Sequence, residues 1–327
     1  MKENHKWFKE AGFGLMVHFG LYSLLAGEYR GKQMGKFIGE WIQPYFRIPN
    51  AEYEKLAEAF NPLYFNADEW VSLAEDCGAK YLVVTSKHHE GFALFDSKVD
   101  SFNSVAASPF KRDIIDELAN ACARRNFKLG LYYSQTLDWH EKNGGGYEDH
   151  WGDNFGVSWC NNWDFPDASQ KNYTECFERK MYPQVEELVK NYGELALIWF
   201  DTPFSITNEQ SVALYELVKK YQPNCLINSR LGNIEDGTDK YKFDYRSWGD
   251  NEIPDEYMKE GLFETPATLN DTWGFKSYDQ NWKSAEEVKR LKEHLNSRGI
   301  NYLLNVGPDA LGRFPAAAQD ILKKLAK

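Results

Sequence analysis

Cysteine is scarce and scattered in this 327-residue chain: Cys77, Cys122, Cys160, Cys176 and Cys225 are odd in number and far apart. No CxxC or Cys/His finger spacing occurs, which argues against a disulfide framework or a structural zinc site. Long apolar runs are missing as well. No segment approaches the roughly 20 apolar residues that span a bilayer, and the opening MKENHKWFKE lacks the apolar stretch of a secretory leader. Basic clusters are absent too. The balance of 38 Lys and Arg against 49 Asp and Glu gives a net charge of −11, so neither nucleic acid nor a membrane is an expected partner. A GxSxG elbow and a phosphate-binding P-loop are lacking, and the glycines of GFGLMVHFG lie inside an apolar run rather than between a strand and a helix. Acyl transfer, nucleotide hydrolysis and dinucleotide chemistry lose their usual signals. A protein of a reducing, cytoplasmic compartment is the expectation.

What the chain does have is aromatic residues, 16% of the total, whose faces suit sugars as well as cores. Eight short runs rich in Val, Ile, Leu and aromatics fall at 12–20, 80–88, 128–134, 195–201, 225–230, 242–247, 262–269 and 299–307. Runs such as YLVVTS, LALIWF and NYLLNV are apolar on both faces, as buried parallel strands are. Most stretches between them carry a helical period. Asp68 and Glu69 stand in the first turn of one, and Ser284 with Glu287 forms a capping-box pattern in another. Strand alternating with helix eight times predicts a (β/α)8 barrel, with residues 1–327 as a single domain. Two crossings, 231–241 and 251–260, are too polar for packed helices, so the barrel is expected to be irregular there. The glycine-rich segment 144–167 reads as a long loop after the third strand.

A barrel places its functional residues after the C-terminal ends of its strands. Those positions hold His18, His88 and His89, Tyr132, Asp201, Arg230 and Asp250. One polar residue ending a strand is unremarkable; a set on successive strands points to a polar pocket. Asp201 ends the buried run LALIWF, and Thr202–Pro203–Phe204 opens no evident helix for it to cap, which suits a nucleophile. His88 and His89 are adjacent on a strand, so their side chains are expected on opposite faces. Their spacing with Glu90 matches no ligand motif. Hydrogen bonding to hydroxyl groups is the better use of these imidazoles, and neither metal nor cofactor is expected.

On these residues the chain resembles the α-L-fucosidases of glycoside hydrolase family 29. The resemblance runs through WFKEAGFGLMVHFGLYS, GEW, AKYLVVTSKHHEGFALFDS, LGLYYSQTLDW, LIWFD, NSR, TWGF and NYLLNVGPDALG. It implies a retaining exo-glycosidase on an irregular (β/α)8 barrel that acts on fucosylated oligosaccharides or glycoconjugates. By position Asp201 resembles the nucleophile. His18, Glu40, Trp41, His88, His89, Tyr132 and Arg230 resemble fucose-binding residues, and Trp273 the aromatic against the sugar's methyl group. One departure stands out. Where many members carry a Glu acid/base after the sixth strand, this chain reads FDYRSWGDNEIP, with Gly249 at that place. Asp250 is closest in register and is the expected acid/base, Glu252 second, and Glu264 a further carboxylate that could face the pocket. Asp244 is expected to be structural. The family's frequent C-terminal β-sandwich is not expected.

The resemblance leaves the linkage open, with a lean towards α-1,6-linked fucose and a capacity for transfucosylation. Tyr147, Trp151, Trp159 and Trp163 are candidates for the side that holds the leaving group. Homo-oligomeric assembly is expected on general grounds. Two rival classes share the same residues: a fucose-binding protein without catalysis, and a metal-dependent barrel enzyme using His18, His88 and His89.

Overall fold

The computed structural model describes residues 3–147, 157–232 and 242–325. Eight parallel strands, one from each apolar run, form a single curled sheet. They are β1 (Phe13–Val17), β2 (Tyr81–Lys87), β3 (Lys128–Ser134), β4 (Leu197–Asp201), β5 (Leu226–Ile227), β6 (Arg246–Ser247), β7 (Phe263–Thr268) and β8 (Ile300–Val306). Their spatial order is β5-β4-β3-β2-β1-β8-β7-β6. A parallel bridge between Asn228 and Tyr245 joins the two ends of that order. Beside it, Asp244 Oδ2 accepts from the Ile227 amide at 2.9 Å. The closure is therefore thin where β5 and β6 are two residues each. The irregularity expected from the polar crossings falls on this side. Residues 251–262 form no helix, and most of 231–241 lies outside the described residues.

The helices are positioned by their caps and apolar stripes. In Ala67–Asp76 and Ile114–Arg125 the Asn66 and Asp113 side chains accept the N3 amide and satisfy an otherwise orphaned donor. Ser284 does the same for Ala285–Ser297. Tyr182–Asn191, Asn208–Tyr221 and Ala316–Lys323 complete the outer layer.

Alternation along the strands sorts side chains into two cores. Leu15, Leu82, Val84, Leu131, Ile198 and Leu304 face outward into the layer beneath the helices. Met16, Tyr81, Val83, Tyr132, Leu197, Trp199, Leu226, Tyr245 and Leu303 fill the barrel, with Phe8 of the N-terminal helix Glu3–Ala11 packed among them. Room for these rings comes from glycine: a Cβ on Gly14 would lie 2.4 Å from the Tyr81 ring. The barrel is thus filled from below, and only its C-terminal end is left open.

Candidate active site

At that open end lies a pocket of about 280 Å³, near the small end of ligand pockets, which start at roughly 300 Å³. His18, Glu40, Trp41, His88, His89, Tyr132, Asp201, Arg230, Asp250 and Trp273 all line it. Each arrives by a local rule of the fold. Trp199 and Asp201 share the inward face of β4, so the carboxylate follows the indole by one strand repeat. Glu40 and Trp41 sit on a single 3-10 turn, Gly39–Trp41, and the Gly39 amide donates to Thr272 Oγ1 at 2.7 Å. The Gly274 amide in turn donates to Glu40 Oε2 at 2.8 Å. These two bonds bring Trp273 and the Gly39–Trp41 turn to one wall.

His88 and His89 depart from the opposite-face expectation. The strand ends at Lys87 after an irregularity between Thr85 and Lys87, so the pair occupies a turn rather than a strand. Both rings reach the pocket, with centroids 4.0 Å apart.

Asp201 is the centre of the polar network. Tyr132 donates to its Oδ2 at 2.9 Å and Arg230 Nη1 to its Oδ1 at 3.0 Å. Its own amide donates to Gln135 Oε1 at 2.9 Å. Arg230 spans the pocket: Nη2 donates to Asp250 Oδ1 at 2.6 Å, while the guanidinium lies 4.6 Å above the Trp199 ring. One cation thereby holds two carboxylates in fixed relation, with charge-assisted bonds that are the strong kind. Asp201 is largely enclosed, its side chain 15% exposed, whereas Asp250 is 47% exposed at the mouth.

The histidines are neutral hydrogen-bonding groups. Burial pushes His18 down to about 4, against the partial support of Asn305, and drives His88 and His89 well below the ordinary imidazole range. His18 Nδ1 lies 2.7 Å from Asn305 Oδ1, which assigns the proton to Nδ1 and leaves Nε2 an acceptor. Ser134 Oγ donates to the Leu137 carbonyl, so it must accept from His89 Nδ1 at 2.7 Å. His89 Nε2 stands 3.8 Å from Asp201 Oδ2, and because the ring is neutral this is no ion pair. Glu40 is the opposite case: burial raises its carboxyl to about 7, more than the Gly274 amide lowers it.

The other carboxylates fall outside the pocket lining. Glu252 Oε2 accepts the Gly249 amide at 2.9 Å within its own turn. Asp244 pairs with Lys219 at 2.7 Å and supports the barrel closure. Glu264 does face inward, but beneath the pocket floor, where Tyr81 and Trp199 donate to it at 2.6 and 2.9 Å. It is fully buried and cannot meet a ligand. Among the described residues no group of three His, Cys, Asp or Glu is arranged to hold a metal. None of their helices is long and apolar enough to cross a membrane.

Of the aromatic candidates for the outer side, Trp159 lines the pocket, Tyr147 and Trp163 do not, and Trp151 lies outside the described residues. Sequence reasoning missed Phe37, Ile38, Pro203 and Phe204 in the lining. The available signal was their nearness to Glu40 and to Asp201.

The α-L-fucosidase family model matches residues 1–327. A putative α-L-fucosidase of Caenorhabditis elegans is 28% identical over 98% of this chain. The chain spans 64% of that relative's length. Among solved structures, the α-L-fucosidase AlfC from Lactobacillus casei is 54% identical with a TM-score of 0.92, covering 99% of this chain and 98% of that one. An AlfC mutant in complex with Fuca(1,6)GlcNAc matches at 54% identity and a TM-score of 0.92, covering 99% and 97%. AlfC has also been solved as a fucosyltransferase mutant, at 54% identity and a TM-score of 0.93, covering 100% and 98%.

Proposed function

The chain belongs to the α-L-fucosidase family, and from that premise we propose that it is a retaining exo-α-L-fucosidase whose single barrel domain removes terminal α-L-fucose. The observation that carries this reading is Asp201, enclosed at the end of β4 with Tyr132 and Arg230 each on one carboxylate oxygen. A nucleophile of this kind attacks the anomeric carbon and forms a fucosyl-enzyme, while a second carboxyl group protonates the departing oxygen. Water, deprotonated by that second group, then releases fucose with its anomeric configuration kept. An acceptor hydroxyl in place of water gives transfucosylation.

Around the reacting carbon, the neutral rings of His18 and His89 each offer an Nε2 acceptor to sugar hydroxyls, their Nδ1 protons being held by Asn305 and Ser134, and His88 adds a third ring to the same lining. Glu40 and Trp41 shape the same wall, and Trp273 gives an apolar face for the methyl group. Asp250 is the proposed acid/base, since it is the carboxylate that Arg230 ties to Asp201 across the pocket. One observation favours a second assignment. Glu40 lines the same pocket with a carboxyl raised to about 7, so it holds a proton in the range where a general acid must.

The 54% identity to AlfC, one form of which carries Fuca(1,6)GlcNAc, supports α-1,6-linked fucose on N-acetylglucosamine as the substrate. Five free thiols suit a reducing, cytoplasmic setting, and a homo-oligomer is proposed on general grounds. The experiment is release of p-nitrophenol from its α-L-fucoside. Wild type should turn over, and Asp201→Asn should lose at least about a thousandfold in kcat while staying folded. Azide should rescue Asp250→Ala by yielding the fucosyl azide. Rescue of Glu40→Ala instead would move the acid/base role to Glu40. A folded wild type inert on the aryl glycoside and on fucosylated disaccharides would refute the proposal.

A further inference from the structure

The pocket has two zones of different character. Its floor, from Met16 to Trp273, is buried and mostly polar at the ring edges. Its outer wall is half-buried and apolar: Phe37, Ile38, Trp159, Pro203 and Phe204. Phe37, Ile38, Trp159 and Phe204 pack against an aromatic cluster of Trp41, Leu137 and Trp139. Trp159 stands edge-on to Trp41 at 4.7 Å and to Phe204 at 5.0 Å. Phe37 closes on Trp41 at 6.1 Å. The indole Nε1 of Trp159 is buried and has no acceptor among the described residues.

The placement of Phe204 is enforced. Thr202, next to the nucleophile, has φ +49°, a left-handed conformation rare for a β-branched residue, and Ser205 has φ +65°. The Phe204 amide turns back onto the Thr202 carbonyl at 2.8 Å. Ser205 Oγ accepts the Gly146 amide at 2.9 Å, which fastens the loop to the one after β3. Strain of this sort persists where surrounding structure over-determines it, typically at ligand clamps.

We propose that Phe37, Trp159 and Phe204 form the subsite that holds the sugar attached to fucose, receiving a hexopyranose by its apolar C–H face. The inference rests on the fucosidase reading and extends it to substrate choice. A polar floor recognises the fucose hydroxyls. An apolar rim grips the next ring, whose hydroxyls stay in water. The same rim would hold an acceptor sugar during transfer.

The test compares two substrates that share the fucosyl group. α-L-Fucosyl fluoride has no second ring; the other is whichever of the α-1,2, α-1,3, α-1,4 and α-1,6 fucosyl disaccharides wild type cleaves fastest. In Phe204→Ala and Trp159→Ala, kcat/KM on the disaccharide should fall by about tenfold more than on the fluoride, from stacking losses typical of aromatic faces. Phe204→Tyr should restore the ratio. Equal losses on both substrates, or no loss on the disaccharide, would overturn the subsite. So would a wild type that cleaves the fluoride and none of the disaccharides. A folded wild type inert on the fluoride itself would remove the fucosidase reading, and this inference with it.

Discussion

Replacing Glu264 by Gln should stabilise the protein at neutral pH and leave it unchanged in acid. Glu264 is fully buried between Tyr81 and Trp199, and burial raises its carboxyl from 4.5 to about 7 despite the bonds from both partners. A group whose folded value lies above its unfolded value binds its proton more tightly in the folded state. Its contribution is therefore complete below pH 4.5 and is lost as pH climbs to 7. At about 1.4 kcal/mol per pH unit, that window costs wild type about 3 kcal/mol by pH 8. Glutamine mimics the protonated acid: its oxygen can accept from Trp199 Nε1 and its amide can donate to the Tyr81 hydroxyl. For a chain of this length, about 3 kcal/mol corresponds to about 4 °C in Tm. Urea unfolding at pH 4.5 and pH 8 decides it. A variant that is equally displaced at both pH values, or destabilised at pH 8, would show that the carboxylate is satisfied where it sits.

Two further substitutions probe the frame. Asp138 is fully buried between Lys87 at 3.2 Å and Lys180 at 2.9 Å; Asp138→Ala strips buried Lys87 of its carboxylate while Lys180 keeps Asp100, and should lose about 3–5 kcal/mol in urea unfolding. Gly14→Ala drives a Cβ to 2.4 Å from the Tyr81 ring and should lose about 1–3 kcal/mol by overpacking, read as a lower urea midpoint.

Most of the fold was legible because the barrel repeats one physical pattern. Runs apolar on both faces, each followed by an amphipathic stretch, located all eight strands, and the rule that function follows strand ends selected His18, Tyr132, Asp201 and Arg230 before any geometry was known. Glu40, Trp41 and Trp273 carry no such signal. They enter through a 3-10 turn and a loop clamped together by Thr272 and Gly274, contacts 233 and 234 residues apart in sequence. Only the resemblance found them. His88 and His89 misled for a related reason: period-two reasoning fails where a strand ends one residue early. Glu264 was legible as inward-facing but not in depth, since alternation gives a side chain's face and says nothing of which layer it occupies. Phe204 was hidden because its direction depends on the left-handed Thr202, a conformation that no residue preference would assign to threonine.

The buried titratable groups in and beneath the pocket also balance against one another. Glu40, Glu90 and Glu264 are each raised to about 7 by burial, so each strengthens the fold as pH falls from 7 to 4.5. His18, lowered to about 4, and His88 and His89, driven well below 6.5, act in reverse. The unfolded chain takes up their protons from pH 6.5 downward while the folded chain refuses them, so their contribution is lost over nearly the same interval. Gains and losses of opposite sign over nearly the same interval should leave wild-type stability flat, within about 2 kcal/mol between pH 5 and 7. Below pH 4 the balance ends. Asp138 is held ionised by Lys180 and Lys87 against the cost of its burial, so the unfolded chain then takes up a proton that the folded chain refuses, and stability should fall. Urea midpoints across pH 3–8 test this, and a steady slope of more than about 2 kcal/mol per pH unit through the middle range would contradict it. Neutral rings whose Nδ1 protons are held by Asn305 and Ser134 leave His18 and His89 each an acceptor at Nε2.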